Sequence, residues 1–364
     1  MYRLFLLYFL VINCFCQCNT PQDAMPISDN IPPVNNLILK DGLFVLNEGN
    51  FDWGHGTLSH KKYDNDTVNN EIYKAVNDFE IGNVAQSMTI IGEKGYICVN
   101  NSGRIDIIEI ETGKWLGRIE IPKSSPRYLL PINNTKAYVT DLYADYFYVI
   151  DLKEDEVIKN VRTSGWTEKL AKIDNYAYIT QTRTIYDNRK GGQFLLKIDT
   201  TTDNIIDSLA LPYGPIDLVV DKNDMLWVLS NGGLSSTNNP NPQPAICKVD
   251  PECFCIKMQF NLDSENYLSM PSRLRINKEK DRIYYLQKDV FSFSIDATSL
   301  PKSPIIYKEK RLFYGLGISP RNNDIYITDA IDYVQKGWVF KYNEMGVKLD
   351  SFKVGVIPNE LIFQ

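Results

Sequence analysis

The sequence predicts an all-β protein, a seven-bladed β-propeller with four-stranded blades, its ring closed by the C-terminal strand joining the first blade. Three observations carry this. A short aromatic–aliphatic run recurs seven times. Each copy is followed by a second apolar strand that ends on an acid, or once an amide. The first unit lacks one strand, and the end of the chain can supply it.

The recurring runs are LFVL at Phe44, YICV at Tyr96, AYVT at Tyr138, AYIT at Tyr178, LWVL at Trp227, IYYL at Tyr284 and IYIT at Tyr326. None contains proline, and each reads as a strand apolar on both faces. Both faces must then be covered. The strands that follow end at Tyr63-Asp64, Ile110-Glu111, Ile150-Asp151, Ile198-Asp199, Val249-Asp250, Ile295-Asp296 and Tyr342-Asn343. The acid or amide opens a turn, and a further apolar strand such as VIKNV or IIDSL comes next. A short strand precedes the aromatic run: SMTII, RYLLPI, KLAKI, IDLVV, SRLRI or YGLGI. Four short strands in a unit of roughly 40 to 56 residues are the pattern of a propeller blade, whose neighbours cover it on both sides. The first unit, from Gly42, has no such leading strand, and the chain ends on IPNELIF, which resembles one. Pairing the two leaves the ring without an exposed edge.

The chain divides into a signal segment over 1–17, a tether over 18–38 and the propeller over 39–364. Arg3 precedes an unbroken apolar run from Leu4 to Ile12. That run is too short to span a bilayer, which needs about 20 residues, and reads as a secretion signal. Cys14, Cys16 and Cys18 follow it. Cys18 is the preferred acylation site, because the polar stretch NTPQDAMPISDNIPP begins just after it and reads as a flexible tether. The alternative is a cleaved signal with incidental cysteines.

Composition narrows the function classes. The net charge is −6 over 364 residues, without the clustered Lys and Arg of a nucleic-acid footprint. There are 22 Tyr and 2 His, which leaves little room for His-based metal or triad chemistry. Of the remaining cysteines, Cys253 and Cys255 lack zinc-site spacing. Cys247 and Cys253 flank a hairpin turn, KVDPE, which leaves a cross-strand disulfide open; free, partly buried thiols are the preferred reading. The chain contains no G-x-S-x-G, HExxH or P-loop.

The loops between second and third strands share one face of a propeller with those between fourth and first. They are long and chemically mixed, whereas the turns on the other face are short and plain. Long loops in a compact repeat carry function. The strand ends Asn47, Asp141, Gln181, Ser230, Gln287 and Asp329 are expected to encircle the channel mouth, with Val99 at the seventh position. Asn231 follows one of them. Outside them lie Phe51, Trp53, His55, Tyr143, Tyr146, Tyr186, Tyr333 and Trp338, joined by Trp166 from a loop between fourth and first strands. Aromatic faces with amides and carboxylates suit a large, flat, amide-bearing ligand or a sugar. Asn47, Glu48, Asp141 and Asp329 could alternatively ring a Ca²⁺ or Mg²⁺ ion.

GLFVLNEGNF (42–51), NVAQSMTI (83–90), YICVNNSG (96–103), SPRYLL (125–130) and KAYVTDLY (136–143) resemble the BtuG proteins. These are surface lipoproteins of Bacteroidetes related to YncE-like propellers. The resemblance implies a non-enzymatic, lipid-anchored protein of the outer-membrane surface. It would capture cobalamin as ligand, without a catalytic cofactor, and pass it to a TonB-dependent transporter. It points to Asn47, Glu48 and Asn50, to Gln86 and Ser87, to Asn100 and Asn101, and to Arg127, Asp141 and Tyr143. A propeller binding carbohydrate or peptide, and a metal-dependent lactonase or hydrolase, are the alternatives.

Overall fold

The computed structural model describes residues 37–51, 54–182, 192–233, 243–263 and 269–364. The signal segment, Cys18, most of the tether, Trp53 and Tyr186 lie outside the described residues. Seven antiparallel sheets form a ring, a seven-bladed β-propeller. The inner strands are Pro358–Phe363, Ala85–Ile91, Pro126–Asn133, Trp166–Ile173, Pro215–Val220, Arg273–Ile276 and Phe313–Ile318, in blade order. The aromatic runs form the second strands. Gly42–Asn47, for example, is buried at every position.

The burial comes from blade stacking. One core cluster joins Tyr96, Ile105 and Ile107 of blade two to Leu129, Val139 and Tyr148 of blade three. Burying such side chains stabilises by roughly 1.5–3 kcal/mol each. The aromatic of the second strand also reaches the next blade. Tyr96 donates its hydroxyl to Asp155 at 3.1 Å, and Lys94 pairs with the same carboxylate at 2.8 Å. Tyr138 and Lys136 repeat this contact on Asp203. Both aspartates occupy left-handed turn positions, φ 53° and 58°. At the corresponding turn of blade five stands Phe254, and Tyr178 packs against its ring at 6.1 Å.

The expected turn-opening acids do what their chemistry allows. Asp151, Asp199 and Asp250 accept from the backbone N–H two residues on, at 2.7, 2.7 and 2.9 Å. Hydrogen bonds from the turn backbone hold the Asp199 and Asp250 carboxyls below their usual pKa.

Ring closure follows the expected pairing. Leu43 faces Phe363, Val45 faces Leu361 and Asn47 faces Pro358. Gln364 seals the joint: its amide N donates to Gly42 O, its Oε1 accepts from Gly42 N, and its Nε2 donates to Leu39 O. His60 Nε2 lies against the same Oε1 at 3.3 Å. A Cβ at Gly42 would sit 2.3 Å from that imidazole, so the position needs glycine.

Two blades have an irregular fourth strand. In blade one the outer strand is reduced to Val68–Asn69, and a helix, Ile72–Asn77, follows with Ile72 and Tyr73 buried. In blade six the fourth position is a single bridge from Ile306 to Val290. Pro301 and Pro304 precede that bridge, and proline cannot donate to a ladder. At Cys253 and Cys255 the structure overturns the preferred reading of free thiols, and the open cross-strand pairing to Cys247 is not formed either. Cys253 bonds to Cys255, while Cys247 and Cys98 are free and fully buried. Cys247 faces the core between blades four and five. The left-handed Phe254 brings the Cα atoms of Cys253 and Cys255 to 5.4 Å.

Candidate functional site

Six of the seven inner-strand pairings carry a register shift at the same end, next to the long loops. The shifts fall at Leu46/Asn47, Ala85/Ser87, Pro126/Leu129, Thr167/Leu170, Pro215/Asp217 and Phe313/Leu316. A bulge frees a residue from the ladder and re-aims its side chain. The residues within these shifts include Asn359, Gln86, Arg127, Tyr128, Glu168, Lys169 and Tyr314. In blade six the pairing is regular, and Arg273 and Arg275 share one face by strand alternation.

These side chains join into a polar network around the channel mouth. Arg127 grips Glu168 with two parallel bonds, Nε to Oε2 at 2.6 Å and Nη2 to Oε1 at 2.7 Å. Its Nη1 donates to Gln86 Oε1. Asn359 Nδ2 donates to the Gln86 carbonyl at 2.8 Å, and Asn359 Oδ1 accepts from Arg273 Nη2 at 2.6 Å. Arg273 stacks over Tyr314 at 5.5 Å, and the Tyr314 hydroxyl donates to Glu48 Oε2 at 2.9 Å. One chain of contacts thus runs Glu168–Arg127–Gln86–Asn359–Arg273–Tyr314–Glu48. Asn359 passes over blade seven to reach Arg273. Gly315 allows that approach, since a Cβ there would sit 2.3 Å from Asn359 O. Beside the chain, Lys169 lies 3.5 Å over the Tyr128 ring and 3.7 Å from Glu360, and Arg275 pairs with Asp217 at 2.8 Å.

Low solvent access shapes the electrostatics. Burial pushes the Glu48 carboxyl above its usual pKa, against the opposing effects of the Tyr314 hydrogen bond and of Arg273. Burial also raises Tyr314 well above an ordinary phenol, with Glu48 adding to it. For Arg127, burial works against the charge, yet Glu168 holds the guanidinium protonated.

The structure divides the expected site residues. Glu48, Gln86 and Arg127 belong to the network. Asn47, Asp141 and Asp329 were expected around the opening, but they sit one strand further out and are buried. Their side chains hold backbone and loops in place. Asn47 Nδ2 contacts Thr57 O, Thr57 Oγ1 and Ser59 Oγ at 3.1–3.2 Å. Asp141 accepts from the N–H groups of Ser125, Tyr143 and Ala144 at 2.8–2.9 Å. Asp329 accepts from Leu312 N and Ile331 N, both at 2.9 Å. Asn100 is buried, and Asn231 Oδ1 caps Gly233 N. Trp166 begins an inner strand instead of lying in a loop; it is buried, with Tyr143 edge-on at 5.1 Å. Tyr143 itself is 58% exposed. Tyr333 is 41% exposed and meets Tyr314 edge-on at 5.9 Å. His55 and Phe51 are exposed on the same loop.

Sequence reasoning missed Tyr128, Glu168, Lys169, Asp217, Arg273, Arg275, Tyr314, Asn359 and Glu360. A signal existed. Each lies at the start of an inner strand, where a polar residue interrupts the apolar run, as in PRY, TEK, PID, SRLR and PNE. Among the described residues, no group of three or more His, Cys, Asp and Glu is placed to hold a metal ion.

Fold and site together define a β-propeller with a charged, amide-bearing channel mouth rimmed by aromatics. The chain belongs to the family described as domain of unknown function DUF5074, whose profile matches residues 41–355. No curated protein matches it in sequence. Among solved structures it is similar to a quinonprotein alcohol dehydrogenase-like protein from Bacteroides thetaiotaomicron (15% identity, TM-score 0.66, 90% of this chain and 79% of that one). It is also similar to a candidate 6-phosphogluconolactonase from Bacteroides fragilis (11% identity, TM-score 0.65, 89% and 98%). A third is AztD from Citrobacter koseri (14% identity, TM-score 0.53, 88% and 96%). At these identities the likeness is one of fold.

Proposed function

We propose that the protein is a lipid-anchored capture protein of the outer-membrane surface. On this reading it binds a corrinoid, cobalamin, at the channel mouth and passes it to a TonB-dependent transporter, without chemical turnover. The observation that carries the reading is the continuous network of guanidinium, amide and carboxyl groups joining the inner strands beneath exposed Tyr143 and Tyr333. Cobalamin presents a broad disc edged by amides. Arg127 and Glu48, only partly buried, offer a donor and an acceptor to such an edge, with the buried Gln86 and Asn359 bonded behind them. Aromatic side chains cover flat surfaces at low entropic cost, since they have few rotatable bonds. Each well-paired buried hydrogen bond adds about 0.5–1.5 kcal/mol.

Calorimetry with cyanocobalamin on the detergent-purified full chain tests the proposal. Saturable heat at micromolar protein, with a shift of the corrin absorbance, is the expected result. No heat and no spectral change would remove the corrinoid assignment. Binding of a glycan or peptide in its place would favour another uptake system.

A further inference from the structure

Among the described residues, eight charged side chains of the channel mouth are unevenly paired. Arg127 is held by Glu168, Arg275 by Asp217 and Lys169 by Glu360. Glu48 is bound by a neutral phenol. Arg273 forms no ion pair with a carboxylate of the described residues. Its guanidinium donates to two neutral oxygens, Ser272 O at 3.0 Å and Asn359 Oδ1 at 2.6 Å, and stacks on Tyr314. A guanidinium has five N–H donors, so some remain for another acceptor. Asp217 and Glu48 act on Arg273 only from beyond ion-pair distance, so a partly buried cation is left without a bonded counter-anion. The planar fork of arginine fits a tetrahedral oxyanion with two parallel bonds.

We infer that Arg273, flanked by Asn359 and Tyr314, is an anion subsite of the channel mouth and that it takes a phosphate group. The phosphate is either the diester of the bound ligand or free inorganic phosphate. The inference rests on the channel mouth being the ligand site. Arg275 stands two residues away on the same strand face, but Asp217 neutralises it, so it contributes orientation and little net charge.

The test uses the detergent-purified full chain, the variants Arg273→Gln and Arg273→Lys, and three probes: inorganic phosphate, cyanocobalamin, and dicyanocobinamide, which lacks the phosphodiester. Circular dichroism and thermal melting establish that each variant is folded; the wild-type comparisons stand even if one is not. If the ligand supplies the phosphate, wild type binds cyanocobalamin roughly 10- to 100-fold more tightly than the cobinamide. Arg273→Gln then removes most of that preference, and Arg273→Lys keeps part of it. If free phosphate is the source, wild type binds inorganic phosphate and Arg273→Gln does not, while the two corrinoids bind alike. Phosphate binding with no corrinoid binding would support the subsite and overturn the corrinoid reading. Equal corrinoid binding without phosphate binding would overturn the subsite and leave that reading standing. A preference unchanged in Arg273→Gln also overturns the subsite, as does silence from all three probes.

Discussion

The imidazole of His60 and the side-chain amide of Gln364 face each other at 3.3 Å across 304 positions of sequence. This contact fastens the last residue of the chain to the first blade. His60 is fully buried between Phe44, 4.6 Å away, and the closing strand. Burial lowers its pKa from 6.5 to about 4, with the Gln364 hydrogen bond opposing.

The sign of the pH effect follows. Between pH about 6.5 and about 4 the unfolded chain takes up a proton that the folded chain refuses. Stability is therefore full above this window and declines as pH falls through it, by about 3 kcal/mol in total. Urea unfolding at pH 7.5 and pH 5 should show the decline in wild type and a flatter dependence in His60→Gln. Equal slopes in the two proteins would contradict a buried neutral His60.

Ring closure should fail without the last strand. Removing residues 357–364 strips the inner strand from blade one, with Leu361 and the Gln364 bonds. Little soluble folded protein is expected. A milder test is Leu361→Ala, since Leu361 is 9% exposed and packs on Val45 and Val354. The expected loss is about 2–4 kcal/mol by urea titration. A truncated chain that melts like the intact one would be inconsistent with a shared first blade.

Blade-to-blade stitching gives a third expectation. Asp203→Ala leaves Tyr138 and Lys136 without their shared acceptor. A cost of roughly 1–3 kcal/mol is expected. Once Asp203 is gone, Tyr138→Phe should add little, because both changes remove one contact. Additive losses in that double-mutant cycle would mean the two side chains are not coupled.

Much of the fold could be read from sequence because the second strands must be apolar on both faces. Phe44, Tyr96, Tyr138, Tyr178, Trp227, Tyr284 and Tyr326 mark them, and all are buried. The missing first strand was equally visible in IPNELIF. The site was harder to see. Asp141 and Asp329 stood out as polar strand ends, yet a carboxylate there serves its own loop by accepting backbone N–H groups. Arg273, Tyr314 and Asn359 come together through bulges and ring closure. Neither the bulges nor a contact between residues 86 positions apart leaves a local pattern. Gln86 and Arg127 were found through the likeness of AQS and SPRY to a known family, not through their spacing.

The bidentate pair of Arg127 and Glu168 should matter for both stability and binding. Glu168→Gln leaves a partly buried guanidinium without its counter-charge, with an expected cost of about 3–5 kcal/mol. Thermal melting checks this directly. An unchanged melting temperature would mean that solvent replaces the carboxylate.

The most direct test of the channel-mouth assignment is a cyanocobalamin titration of three proteins side by side. One is wild type. The second carries Tyr143→Ala and Arg127→Ala on the loop-bearing face. The third carries Lys222→Ala and Lys278→Ala in the plain turns of the opposite face, where Lys222 lies 3.5 Å from Asp281. The account predicts tight binding by the first and third and at least a tenfold loss in the second, about 1.4 kcal/mol. Loss of binding in the third protein, with the second unaffected, would contradict it.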